Sequence, residues 1–311
     1  MSKINAWMFF LNSNNYYLYM LIGAYYDLVR TNTRYPIYCV ISEDVSESTL
    51  KILDTMHINI IKINTRKIAS KIHLANVPHY QAAFSKLAIL GKEVEDKFDK
   101  IVYLDTDMQF FENIDELMDK PHMSAIADEF PAKDKTKNKY NIGDSIFCSG
   151  LFVWDFKNNP NVGQNIIDNL DKLDSNIGWH DQSVLNFYYS NWQNSPELHL
   201  SATYGVMNDD FTIKLYNKLF GNAKAIHYVS RPRANWPFNT KFYIFSQSEY
   251  WYSKWVHIIG WFNNINGAID YFKLDLEKIH IDNLIFDFAP STSNASEPKL
   301  ADGRSGSYLY F

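Results

Sequence analysis

Short apolar runs and helix-spaced stretches take turns through the first 105 residues, and this alternation limits the chain to few folds. "INAWMFFL" (4–11) is an apolar run that ends at "NSNN", as a strand entering a loop does. Residues 16–29 have helical spacing, and "PIYCVIS" (36–42) is a second strand with Pro36 at its start, where a missing N–H is harmless. "SESTLKILDTM" (46–56) has a serine cap and then apolar residues at helical spacing. "INIIKI" (58–63) reads as a third strand, 82–98 as a helix and "IVYLD" (101–105) as a fourth strand. The pattern predicts an α/β fold, a doubly wound and mostly parallel sheet flanked by helices.

Beyond Phe111 the order is mixed. Residues 124–129, 145–156 and 223–229 read as strands, and 161–173 and 181–189 as helices. An aromatic helical stretch follows at 249–272, with Trp251, Trp255, Ile258, Ile259 and Phe262 on one stripe. Its stripe has no dense basic face, so packing on the core or on a dimer partner is expected over membrane attachment. The expected organisation is a main domain over 1–245, a helical extension over 246–289 packed on it, and a loose tail over 290–311.

The length of 311 residues suffices for a sizeable core, and the 46% hydrophobic content is that of a folded chain. A net charge of −5 argues against a nucleic-acid-binding surface. Cys39 and Cys148 both sit in apolar runs, as buried thiols in a reducing compartment do. No run approaches transmembrane length and no cleavable signal is evident, so a cytoplasmic location is expected.

The chemistry begins at "KIVYLDTDMQFF" (100–111). Asp105 and Asp107 stand at the carboxyl end of a buried strand, where open α/β sheets bind ligands. Two like charges there need a positive partner. Hard oxygens one residue apart suit Mg²⁺ or Mn²⁺. Two chemistries use such a pair: phosphoryl transfer through an aspartyl nucleophile, and nucleotide-sugar transfer through a metal on the diphosphate. Gln109 stands where the first usually has Thr or Val. The second needs a third ligand and cations, and His227, Ser230, Arg231 and Arg233 offer them downstream. Lys86 lies in the apolar "FSKLAIL", where a lysine ordinarily snorkels to water. Asp181 either caps a helix or faces the crevice together with Gln182.

These pieces together resemble family 8 glycosyltransferases, the glycogenin-like group with the GT-A fold, over roughly residues 4–240. "LNSNNYY" is similar to the first nucleotide-binding loop, "FSKLAIL" to the T-K-L helix, and "VYLDTDMQFFENIDELMD" to the D-x-D segment. "SAIAD", "FCSGLFVWD", "HDQSVLN" and "HYVSRPRANW" are similar to the later motifs in order. The resemblance implies a retaining hexosyltransferase that takes a UDP-sugar donor, UDP-glucose first and UDP-galactose or UDP-GlcNAc next. It implies Asp105, Asp107 and His227 on Mn²⁺ or Mg²⁺, with Leu11, Asn12, Tyr16, Thr106, Ser230 and Arg233 on the nucleotide. It implies Lys86, Asp128, Asp181 and Gln182 near the sugar, and a glycan, protein or small-molecule acceptor. Cys148 replaces the family's usual Asn, Ser230 its Gly and Arg233 its Lys. Phe211 stands about where glycogenin carries its acceptor tyrosine, so self-glucosylation is not implied. A catalytically silent UDP-sugar binder is the rival that this set of departures leaves open.

Overall fold

The structure is a computed structural model that describes residues 3–12, 15–71, 84–128, 146–173, 181–207, 223–228, 261 and 264–274. The first half follows the predicted alternation: β1 (Ile4–Leu11), α1 (Asn15–Arg30), β2 (Ile37–Ser42), α2 (Glu47–Thr55) and β3 (Asn59–Ile63). A single turn, α3 (Arg66–Ala69), comes next. Ser46 caps α2 by accepting the Thr49 N–H, as its sequence suggests. After residues 84–85 come a 3₁₀ helix (Lys86–Leu90), α4 (Lys92–Glu95), β4 (Phe98–Leu104) and β5 (Met108–Phe110). The second half brings β6 (Ala125–Asp128), β7 (Ile146–Asp155), α5 (Val162–Asp168) and α6 (Asp181–Tyr188). The short strands β8 (His199–Leu200), β9 (Val206–Met207) and β10 (Ala225–His227) complete the described set.

The main sheet has seven strands in the order β3-β2-β1-β4-β7-β6-β8. Strands β3, β2, β1 and β4 run parallel, and β7 runs antiparallel to both β4 and β6. Buried on both faces, β1 divides its side chains by period two. Trp7, Phe9 and Leu11 join α1, α2 and Ala268 on one face. Ala6, Met8 and Phe10 meet the 3₁₀ helix, α5 and α6 on the other. The sheet is mixed and flanked by helices, as expected of a GT-A fold.

The expected helix over 82–98 does not form as one piece. Residues 86–90 wind as 3₁₀, Gly91 is extended (ψ 170°), and a single turn follows before β4 starts at Phe98. The cause is a close contact from far along the chain: a Cβ on Gly163 would lie 2.1 Å from the Leu90 carbonyl oxygen. The α5 backbone presses on this segment, and a tight 3₁₀ turn fits beneath it. The helix expected over 161–173 likewise ends at Asp168, with a 3₁₀ turn at 170–172.

A second sheet, β5-β10-β9, closes over the carboxyl end of β4. It is fastened to α1 by a cluster of Tyr19, Met20, Val206, Ile226, Tyr228, Trp261 and Ile265. Trp261 stacks on Tyr228 at 4.3 Å with 6° between the rings. Residues 264–272 are helical, and Ile265 and Ala268 are buried. This part of the aromatic stretch packs on the core, while Trp251, Trp255, Ile258, Ile259 and Phe262 lie outside the described residues. Among the described residues no helix is long and apolar enough to cross a membrane.

Candidate active site

Asp105 follows the last residue of β4, and Asp107 precedes the first residue of β5. The pair therefore sits on the link between the two sheets. Backbone bonds fix that link from both sides: the Asp105 N–H donates to the Gly150 carbonyl at 2.7 Å, and the Tyr228 N–H to the Asp107 carbonyl at 2.9 Å. Strand β10 pairs antiparallel with β5, which sets His227 opposite Met108. A residue 120 positions along the chain thus arrives beside Asp107, with His227 Nε2 at 3.1 Å from its Oδ1. The same nitrogen is 3.7 Å from Asp105 Oδ2.

One ligand atom from each of Asp105, Asp107 and His227 lies within 4.8 Å of the others. Two carboxylates and an imidazole form a donor set suited to a hard divalent cation that keeps open positions. The room for one depends on a glycine. A Cβ on Gly150 would lie 2.4 Å from His227 Cε1 and 2.9 Å from Asp105 Oδ2. The residues present fit a bound divalent ion.

Lys86 does not snorkel. It is buried, with Nζ at 2.7 Å from Asp181 Oδ2 and 3.3 Å from Asp105 Oδ1. It also donates to the carbonyl and hydroxyl of Ser149 at 3.3 and 3.2 Å. Burial alone would lower its pKa, but the charges of Asp105 and Asp181 win and hold it above the ordinary lysine value. Burial would lower His227 as well, and there the Asp107 charge and hydrogen bond prevail, holding the ring protonated well above the usual range. Lys86 and His227 thus supply the positive partners that the carboxylate pair requires.

The "HDQSVLN" segment explains how the sugar-side residues are placed. Asn186 grips β7 through its amide, accepting from the Phe147 N–H and donating to the Phe147 carbonyl. That anchors α6, whose first two residues are Asp181 and Gln182. Gln182 accepts from the Ser149 N–H at 3.1 Å and donates to Asp128 Oδ2 at 2.8 Å. Lys86, Asp105, Asp128, Asp181 and Gln182 therefore belong to one connected network.

Other expected contacts fall in different places. Leu11 is buried in the core, so any contact it makes with a base is through its main chain. Asn12 is half-buried at the end of β1 and Thr106 is buried between the two aspartates. Tyr16 opens α1, with its side chain outside the described part. Ser230, Arg231 and Arg233 lie outside the described residues, as does Phe211. Gln109 is buried and accepts a hydrogen bond from the Tyr228 hydroxyl, a role inside the small sheet.

Sequence reading missed Tyr103, whose hydroxyl donates to Asp105 Oδ1 at 2.6 Å. Its period-two position, two residues before Asp105, was the available signal. Asn186 was inside a quoted motif, at helical spacing from Gln182, without a role assigned to it.

Comparison with known proteins agrees with this geometry. Galactinol synthase 1 of Solanum lycopersicum is 28% identical over 250 residues, covering 76% of this chain and 75% of that protein. Glycogenin-1 of Caenorhabditis elegans is 28% identical over 230 residues, 72% of this chain but only 49% of that protein. Among solved structures, the galactosyltransferase LgtC with donor and acceptor sugar analogs superimposes with a TM-score of 0.55 at 17% identity. That match covers 75% of this chain and 89% of LgtC, and shows the shared fold. Residues 8–236 match Glycosyl transferase family 8. The chain belongs to that family and is a glycosyltransferase.

Proposed function

We propose that this enzyme moves a hexose from a UDP-sugar to a hydroxyl of a separate acceptor, with retention of configuration and with Mn²⁺, or Mg²⁺, as its ion. The observation that carries this reading is the convergence of Asp105, Asp107 and His227 at the exit of β4. A bound divalent cation there supplies countercharge for the diphosphate of the departing nucleotide. Lys86 stands beside it as a fixed second cation, already held by Asp105 and Asp181. Gln182 and Asp128, tied to each other, offer an amide and a carboxylate to sugar hydroxyls. Asp181 keeps Lys86 in place on the sugar side.

Asn12, Tyr16 and Thr106 are assigned to the nucleoside, and Ser230 and Arg233 to the diphosphate, on motif similarity alone. The same similarity supports a main domain over 1–245, and the burial of Trp261, Ile265 and Ala268 supports an extension over 246–289 packed on it. The names of the relatives divide between galactinol synthase and glycogenin, so glucose and galactose lead the donors to be tried. Two buried free thiols support a cytoplasmic setting.

The test is UDP release from a panel of UDP-sugars with Mn²⁺ or with EDTA, first without acceptor and then with glycans and polyols. Release from one donor is expected, lost in EDTA and reduced at least about a hundredfold in Asp107→Asn. Metal-independent release, or unchanged turnover in Asp107→Asn, overturns the reading. UDP–Mn²⁺ binding without turnover on any donor would instead mark a silent binder.

A further inference from the structure

Three side-chain atoms face the ion site, and two of the residues that carry them are themselves held from behind. Asp105 is gripped at one oxygen. The Tyr103 hydroxyl donates to Oδ1 at 2.6 Å, and Lys86 Nζ reaches the same oxygen at 3.3 Å. Oδ2 is the atom turned toward His227. A carboxylate with both donors on one oxygen cannot rotate freely, and its other oxygen keeps a fixed aim. The Tyr103 ring is fixed in turn, buried against Phe152 with centroids 5.2 Å apart and lying 4.9 Å from Lys86 Nζ.

His227 is treated in the same way. Its Nε2 faces the carboxylates, while Nδ1 lies 3.8 Å from the Cys148 sulfur. That sulfur is positioned by the Gly150 N–H, which donates to it at 3.4 Å. An imidazole that gives Nε2 to a cation carries its proton on Nδ1, and this proton needs an acceptor. The Cys148 sulfur is the group at hand. Cys148, at the position where the resemblance has an Asn, thus stands behind a ligand.

We infer that Tyr103 and Cys148 are positioning residues: they form an outer shell that aims Asp105 Oδ2 and His227 Nε2 at a divalent cation. The inference rests on the metal reading of this site and goes beyond it, because neither residue would touch the ion or the donor.

The test measures Mn²⁺ affinity without donor, by calorimetry or by the loss of the free-ion spin-resonance signal. Wild type is compared with Tyr103→Phe, Cys148→Ala, Cys148→Ser and the Tyr103→Phe/Cys148→Ala double variant. Tyr103→Phe and Cys148→Ala should each weaken Mn²⁺ binding about tenfold or more, with melting temperatures of the metal-free proteins close to wild type. Cys148→Ser, which keeps an acceptor, should stay within about threefold of wild type. The two losses should multiply in the double variant, because each residue holds a different ligand. Transfer activity of both single variants should return at saturating Mn²⁺, which a merely misfolded protein would not show. Wild-type affinity in Tyr103→Phe or in Cys148→Ala overturns the inference and leaves the ion site standing. Absence of Mn²⁺ and Mg²⁺ binding by wild type overturns the metal reading, and the inference falls with it.

Discussion

Two regions of the protein that hold carboxylates away from water manage their charge in opposite ways. At the mouth of the sheet, Asp105, Asp107 and Asp181 are matched with Lys86, which is held charged, and with His227, whose ring stays protonated until a cation takes its Nε2. On the buried face of α1, Asp27 is fully buried and meets mostly neutral donors: the Phe110 N–H at 3.1 Å and the Asn264 amide at 3.1 Å. Among the described residues its charged partner, Arg30, is half in solvent at 3.3 Å. Burial therefore wins there and pushes the Asp27 pKa up to about 7. Histidines show the same contrast. His227 is kept charged by Asp107, whereas burial lowers His122 to about 4. His122 accepts the Asp155 N–H on Nδ1, so its Nε2 carries the proton toward the Tyr189 hydroxyl at 2.7 Å. The lesson is that charge is retained only where countercharge is built in.

That contrast can be broken at its strongest point by Lys86→Met, which removes the cation that Asp105 and Asp181 share. A loss of about 3–5 kcal/mol in urea unfolding is expected, and a loss under about 1 kcal/mol would show that the cluster does not depend on its lysine. Asp27 comes next. Its folded pKa lies above the unfolded value of 3.8, so its contribution is complete below that value and is lost as pH rises through about 7. Asp27→Asn should remove a decline of at most about 4 kcal/mol between these limits. A wild-type and variant difference that does not change with pH would refute it.

His122 sharpens the comparison from the other side. Its folded pKa is depressed, so its contribution is present above about 6.5 and is lost as pH falls through about 4. His122→Gln should flatten an acid-side loss of at most about 3 kcal/mol, read from melting temperature against pH. The two terms oppose each other across one window, so each single variant should tilt the pH profile of stability in the direction the other does not. The smallest effect is expected on folding but not on binding: Gly150→Ala should leave the fold in place and crowd His227 and Asp105, lowering Mn²⁺ affinity about tenfold or more.

Much of this was legible in the sequence because it is local. The alternation over residues 4–63 survives as β1 to β3 with boundaries shifted by at most one residue. The Asp105–Asp107 pair and His227 were visible as chemistry before they were visible as neighbours. What was not legible depends on contacts across the chain. The 82–98 segment has helical spacing, yet Gly163 presses on Leu90 and the helix breaks at Gly91. The β5–β10 pairing that delivers His227 leaves no local trace in three-residue strands. Cys148 stood out as a departure from the family, but only the fold shows that its sulfur meets His227.

The join between Asp107 and His227 also says something about the order in which the molecule can be completed. The two residues are 120 positions apart, and the β5–β10 pairing, with the main-chain bonds from Tyr228 to Asp107 and from Phe111 to Lys224 at its ends, closes the loop. Such a distant contact forms late, after the entropy of the intervening chain has been overcome. During synthesis the acidic half of the site emerges long before its histidine. A nascent chain that has not yet reached residue 227 holds the carboxylates without the third ligand, so the cation site that these three residues could form stays incomplete until His227 is in place.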